Sequence, residues 1–125
     1  GSGKGKCLLY FSSVLKCNVY AIEVVPYLAK FHQWLSYLLC CNNYHHFKTQ
    51  DLKHCILPKC SVYFISGCDF SEDTFLAMSL QFKSFTHPYQ VICVGMPFPY
   101  LDFKQTRDIK LPCSWGYSTA YIYQR

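Results

Sequence analysis

Charge is what this sequence has least of. Only 15% of its 125 residues are charged, and just seven are acidic. A typical soluble domain carries about a quarter. The low share does not mean disorder, because 51% of the residues are hydrophobic and 18% aromatic. So few acids leave no convincing pair of carboxylates for acid–base work. The twelve basic residues give a net charge of +5 but are scattered, with no three in a row. A nucleic-acid footprint gathers them on one face, so nucleic acid is not an expected partner. No uninterrupted apolar span exists either. Val19 to Cys41 comes nearest, and Glu23, Lys30, His32 and Gln33 break it, so no membrane insertion is expected. Walker and Rossmann signatures are missing. Gly1-Ser2-Gly3 reads as a cloning scar outside the fold, and the glycine spacing over Gly1 to Gly5 is ascribed to it. Internal repeats and linkers are absent, so residues 4–125 are expected to form a single domain.

Cysteine is plentiful instead: nine residues, an odd number, with no secretory signal ahead of them. Most sit inside apolar runs, where a reduced thiol packs as a small hydrophobe. This places the chain in a reducing, cytoplasmic compartment. Cys7, Cys40, Cys41, Cys60 and Cys93 are expected in or beside buried strands.

Four apolar runs do not alternate with polar residues: Cys7 to Phe11, Trp34 to Cys41, Ser61 to Ile65 and Val91 to Val94. Strands apolar on both sides belong to covered parallel sheets. Between them, Val24, Val25, Leu28 and Phe31 share one helical face, as do Phe75, Met78, Ser79 and Phe82. Ser71 suits the N-cap of the latter helix, with Glu72 and Asp73 in its first turn. Gln50 to Leu57 is a short third segment, stopped by Pro58. Ile109 to Leu111 is a further strand candidate, and Gly116 to Gln124 a last helix or strand. Trp34 to Cys41 could instead finish a long helix from Val24; the strand is preferred because Asn42-Asn43 then has a strand to end. Strands alternating with helices imply an α/β, flavodoxin-like three-layer fold with a central parallel sheet of four to five strands.

The order of these blocks resembles a Toll/interleukin-1 receptor (TIR) domain. Leu9 to Ser13 resembles its first strand, and Glu23-Val-Val-Pro26-Tyr-Leu28-Ala-Lys30 the helix that follows. Val62 to Ser66 resembles its third strand, and Val91 to Pro97 its fourth. The related SEFIR domains and the TIR-like modules of B-cell adaptors are within reach of the same resemblance. The resemblance implies an intracellular signalling adaptor of innate-immunity type, assembling by homotypic or heterotypic contacts with another TIR-like domain or with itself. It also places the BB loop at Asn42 to Thr49, giving one contact face at Tyr44, His45, His46, Phe47 and Lys48. Phe98, Tyr100 and Phe103, in the loop after the fourth strand, are read as a second contact face. Some TIR domains cleave NAD with a helical glutamate, but that position is Met78 here. No catalysis is therefore expected.

Two other chemistries stay open. Cys41, His45, Cys55 and Cys60 could hold zinc, although no Cys-x-x-Cys occurs. This makes a small zinc-stabilised regulatory domain the alternative. Cys68, just before a helix start, is the best placed nucleophilic thiol, with Asp69 beside it arguing against. No cofactor other than zinc is expected.

Overall fold

The computed structural model describes residues 1–3, 5–40, 45–67, 69–113 and 116–125. Two compact units make up the chain, Gly1–Cys55 and Ile56–Arg125.

The first unit runs α1 (Lys6–Ser13), β1 (Val19–Glu23), α2 (Pro26–Leu38), β2 (His45–Thr49) and a 3-10 turn (Leu52–His54). β1 and β2 pair in parallel, from Val19 opposite His45 to Glu23 opposite Thr49. β1 turns Val19, Ala21 and Glu23 inward. α2 starts where Val25, extended, is followed by Pro26, whose ring presets the helical angle and whose missing N–H costs nothing in a first turn. It buries Ala29, His32 and Ser36 and leaves Tyr27, Phe31, Trp34 and Tyr37 exposed.

Three expectations fail in this unit. Cys7 to Phe11 lies in helix α1, not in a strand. A short apolar run cannot separate the two, and the start signal lay in the glycines set aside. Trp34 to Leu38 completes α2: the Leu39 amide donates to the Leu35 carbonyl at 3.0 Å, and Cys40, at φ 53, closes the helix in the left-handed region. The aromatics on its outer face gave the look of a buried run. His45 to Thr49, read as loop, is the strand that Trp34 to Cys41 was meant to supply.

The second unit runs β3 (Val62–Ser66), α3 (Glu72–Ser84), β4 (Gln90–Val94), β5 (Gln105–Cys113) and β6 (Gly116–Gln124). Its sheet order is β3-β4-β6-β5. β3 and β4 are parallel, as a central parallel sheet requires, and β6 is antiparallel to both of its neighbours. α3 buries Phe75, Met78, Ser79 and Phe82 on the face that the sequence period gives. Its acids, Glu72 and Asp73, open the helix and Lys83 closes it, each complementing the helix dipole. The core is aromatic: Phe82 meets Tyr63 at 4.9 Å, Phe75 meets Phe98 at 5.0 Å, and the Tyr89 hydroxyl donates to the Phe82 carbonyl at 2.6 Å.

Cysteine placement departs from expectation. Cys93 is buried in β4, but Cys7 and Cys40 are exposed, and Cys60 is only half-buried. Among the described residues, no helix is long and apolar enough to cross a membrane.

Candidate functional site

The residues set aside as a scar are bonded into the first unit. The Ser2 amide donates to the Ile22 carbonyl at 3.0 Å, and the Gly3 amide to Glu23 Oε2 at 2.7 Å. The other carboxylate oxygen, Oε1, accepts the Val25 amide at 3.0 Å. Two backbone donors therefore orient a carboxylate that is only 5% exposed at the end of β1. Each oxygen keeps further lone-pair capacity for an incoming hydroxyl.

Gly5 is the N-cap of α1, at φ 72 and ψ 16, a conformation that disfavours any side chain. Its amide donates to the Ser2 carbonyl at 3.0 Å, and its carbonyl accepts the Leu9 amide at 2.9 Å. A Cβ on Gly5 would also fall inside the imidazole of His32. The result is a tight glycine turn opening a helix, with an acid 20 positions beyond Gly3. In nucleotide-binding α/β folds this arrangement lets backbone approach a ligand's anionic group, while the acid accepts from ribose hydroxyls.

Behind the turn lies a polar cluster. His32 is 0% exposed, and neither ring nitrogen has a hydrogen-bond partner. Its ring meets Phe47 at 4.8 Å and His45 at 5.3 Å, edge to face in both cases. Burial pulls its pKa down to about 4, and the neighbouring His45 adds to the effect. His45 is lowered too, by burial first and then by His46. His45 Nε2 hydrogen-bonds the Ser12 hydroxyl. That hydroxyl already donates its one proton to the carbonyls of Leu8 and Leu9, at 3.0 and 3.2 Å. It therefore accepts from Nε2–H, leaving Nδ1 bare.

The expected contact residues scatter. Among them His45 is buried, Phe47 half-buried, and His46 and Lys48 exposed, with His46 stacked on Tyr20 at 4.5 Å. Phe98, expected on an exposed face, is 4% exposed in the second unit's core, where its amide donates to the Tyr123 hydroxyl at 2.9 Å. Tyr100 is exposed and donates to Glu72. Phe103 packs on Tyr89 at 5.8 Å. Tyr44, Cys41 and Cys68 lie outside the described residues. Among the described residues, which include His45, Cys55 and Cys60 of the zinc set but not Cys41, no three metal-ligating side chains come together. His45 is engaged by Ser12.

Sequence reading missed Gly3, Gly5, Ser12, Glu23 and His32. The glycine spacing and the acid twenty residues on were the available signal for three of them. Nothing in the sequence announced that Ser12 and His32 would be buried together.

No protein-family profile and no curated protein matches this chain. Solved structures do. An RNA methyltransferase from Salinibacter ruber in complex with S-adenosyl-L-homocysteine superposes with a TM-score of 0.79 at 16% identity, over 99% of this chain and 76% of its own. TrmN from Thermus thermophilus gives 0.81 at 12%, over 100% of this chain and 42% of its own. Magnesium protoporphyrin IX methyltransferase (ChlM) from Synechocystis PCC 6803, with S-adenosylmethionine bound, gives 0.77 at 16%, over 100% and 67%. The chain thus spans between 42% and 76% of the length of these neighbours. At such identities the likeness establishes the fold: α/β, of Rossmann- or flavodoxin-like three-layer class, as the segment order implied.

The same likeness overturns the TIR reading, since the matching structures include methyltransferases with S-adenosylmethionine or S-adenosylhomocysteine bound. The non-catalytic signalling adaptor and the expectation of no cofactor beyond zinc fall with it. The error has a physical source. The block from Glu23 to Lys30 was read as one helix but is the end of a strand and the start of the next helix. Parallel α/β folds repeat such junctions, so segment order alone does not distinguish them.

Proposed function

We propose that this chain carries the S-adenosylmethionine-binding part of a methyltransferase. The observation that carries the reading is the glycine turn at the start of α1 docked by its Gly3 amide on the Glu23 carboxylate. On this reading residues 1–3 belong with residues 4–125 in one cofactor-binding domain. The bound cofactors in neighbouring structures support it.

The residues fit such a ligand. The glycine turn offers close backbone approach at a helix N-terminus, suited to the carboxylate of a methionyl group. Glu23 is fixed by two amides and suited to accept from ribose hydroxyls. When bound, S-adenosylmethionine supplies an electrophilic methyl group. The chain's own contribution here is to bind and orient.

The neighbours act on unlike substrates: RNA, magnesium protoporphyrin IX and geranyl diphosphate are named among them. What they share is the cofactor, so the methyl acceptor is left to experiment. RNA belongs in the screen, and its exclusion on the basis of scattered basic residues is withdrawn. The exposed thiols of Cys7, Cys17 and Cys40 fit a reducing, cytoplasmic compartment.

The test is calorimetric titration of the full chain with S-adenosylhomocysteine. Saturable one-to-one binding, weakened about tenfold or more by Glu23→Gln, supports the reading. Absence of binding to the folded wild-type chain overturns it.

A further inference from the structure

We propose that His32 is a positioning residue for the glycine turn: its ring, packed edge to face against both His45 and Phe47, is the floor on which Gly5 rests. The ligand named for that turn rests on the cofactor reading above; the floor itself does not.

A fully buried side chain with two unpartnered ring nitrogens needs a reason to be there, because desolvating a polar ring without a hydrogen bond is unfavourable. An aliphatic residue would fill the same volume without presenting a flat face. What the ring supplies is a thin, flat surface. It lies so close to the Gly5 backbone that no Cβ fits between them.

The consequence passes along backbone hydrogen bonds. Gly5 donates to the Ser2 carbonyl, which fixes the turn over Ser2 and Gly3, and Gly3 donates to Glu23. Through its carbonyl Gly5 also anchors the Leu9 amide in α1. The position of His32 therefore sets where the turn sits over the carboxylate. The ring is itself set from β2 by Phe47 and by His45, which Ser12 of α1 holds in turn. All of these residues belong to the first unit.

The experiment is a double-mutant cycle on the full chain: wild type, Gly5→Ala, His32→Ala and the double variant, with His32→Phe as the flat-ring control. The first readout needs no ligand. Amide exchange by NMR follows Gly3, Gly5 and Leu9 in the apo chain. His32→Ala is expected to speed exchange at Gly3 and Gly5 about tenfold, while His32→Phe leaves it within about threefold. Gly5→Ala is expected to cost about tenfold in protection with His32 present, and at least about threefold less with alanine there, because the collision is gone. The same pattern is expected in S-adenosylhomocysteine affinity.

Equal effects of Gly5→Ala in both backgrounds, or unchanged exchange in His32→Ala, overturn the proposal. Loss of protection in His32→Phe equal to that in His32→Ala overturns it as well, since a flat ring would then not suffice. If the wild-type chain does not bind S-adenosylhomocysteine, the cofactor reading fails, and the apo exchange data still decide the role of His32. Should His32→Ala fail to fold, Gly5→Ala measured in the His32→Phe background decides: undiminished damage supports the floor, and relieved damage overturns it.

Discussion

The two units bury different chemistry. Among the described residues, the first encloses Ser12, Glu23, His32, Ser36 and His45, while the second encloses only Thr74 and Ser79 as buried polar side chains. The second is filled with rings instead, from Tyr63 and Phe75 to Phe82, Tyr89 and Phe98. Apolar burial stabilises a fold without direction, whereas buried polar groups hold fixed geometry at an energetic cost. On the proposed function, the unit that buries polar groups is the one that holds the cofactor, and the ring-filled unit supplies apolar core. The contrast also accounts for the inversion in α2, which buries Ala29, His32 and Ser36 while its aromatics face outward.

This contrast can be broken in graded steps. The largest effect is expected from Phe82→Ala in the second unit. Phe82 is 0% exposed, and truncating a fully buried ring costs about 3–5 kcal/mol. Urea unfolding of the variant should show this loss in the transition of the second unit.

The next step is acid. His32 is held at about 4 in the folded chain against 6.5 when free. The unfolded state therefore binds the extra proton first, and stability falls as pH drops. The contribution is complete above about 6.5 and lost progressively toward pH 4, amounting to about 3 kcal/mol. His45, lowered in the same direction, adds to it. Urea midpoints at pH 7 and pH 5 should differ for the first unit, and His32→Phe should remove much of that difference. An unchanged difference would place the sensitivity elsewhere.

A smaller change is expected from Ser12→Ala. It takes the acceptor from His45 Nε2–H and leaves a buried donor unsatisfied, at about 1–3 kcal/mol. Thermal melts of the first unit check this. The smallest effect is expected from Asp102→Asn. The pair with Lys83 is 2.8 Å long, but both side chains are well exposed, and such pairs are worth about 0–1 kcal/mol. A large loss there would contradict the view that rings, not charges, hold the second unit.

How far the sequence was legible follows the same division. In the second unit the elements announce themselves. Phe75, Met78, Ser79 and Phe82 keep helical spacing, Ser71 stands at the N-cap, and Val62 to Ser66 and Val91 to Val94 read as strands. There apolar periodicity is the organising force, and it is written in residue order. In the first unit the buried faces are small or polar, so the periodic signal points the wrong way. α1 buries Leu9 and Ser12, α2 buries no large apolar side chain, and β1 turns an acid inward. The candidate site was hidden for a related reason. Gly1 to Gly5 has meaning only beside Glu23 and His32, and nothing local in the sequence joins them.

One feature of the second sheet governs when that unit can form. β6 lies between β4 and β5 and pairs with both, although it comes after both in the chain. While the polypeptide is being made, β3 and β4 can pair as soon as Gln90 to Val94 is available, but β5 has no neighbour to zip onto. The row of unpaired backbone groups along β4 also stays open until residues 116 to 124 leave the ribosome. The sheet is therefore completed by insertion rather than by addition at an edge. The interval between synthesis of β4 and of β6 is when the nascent chain is most exposed to wrong pairing.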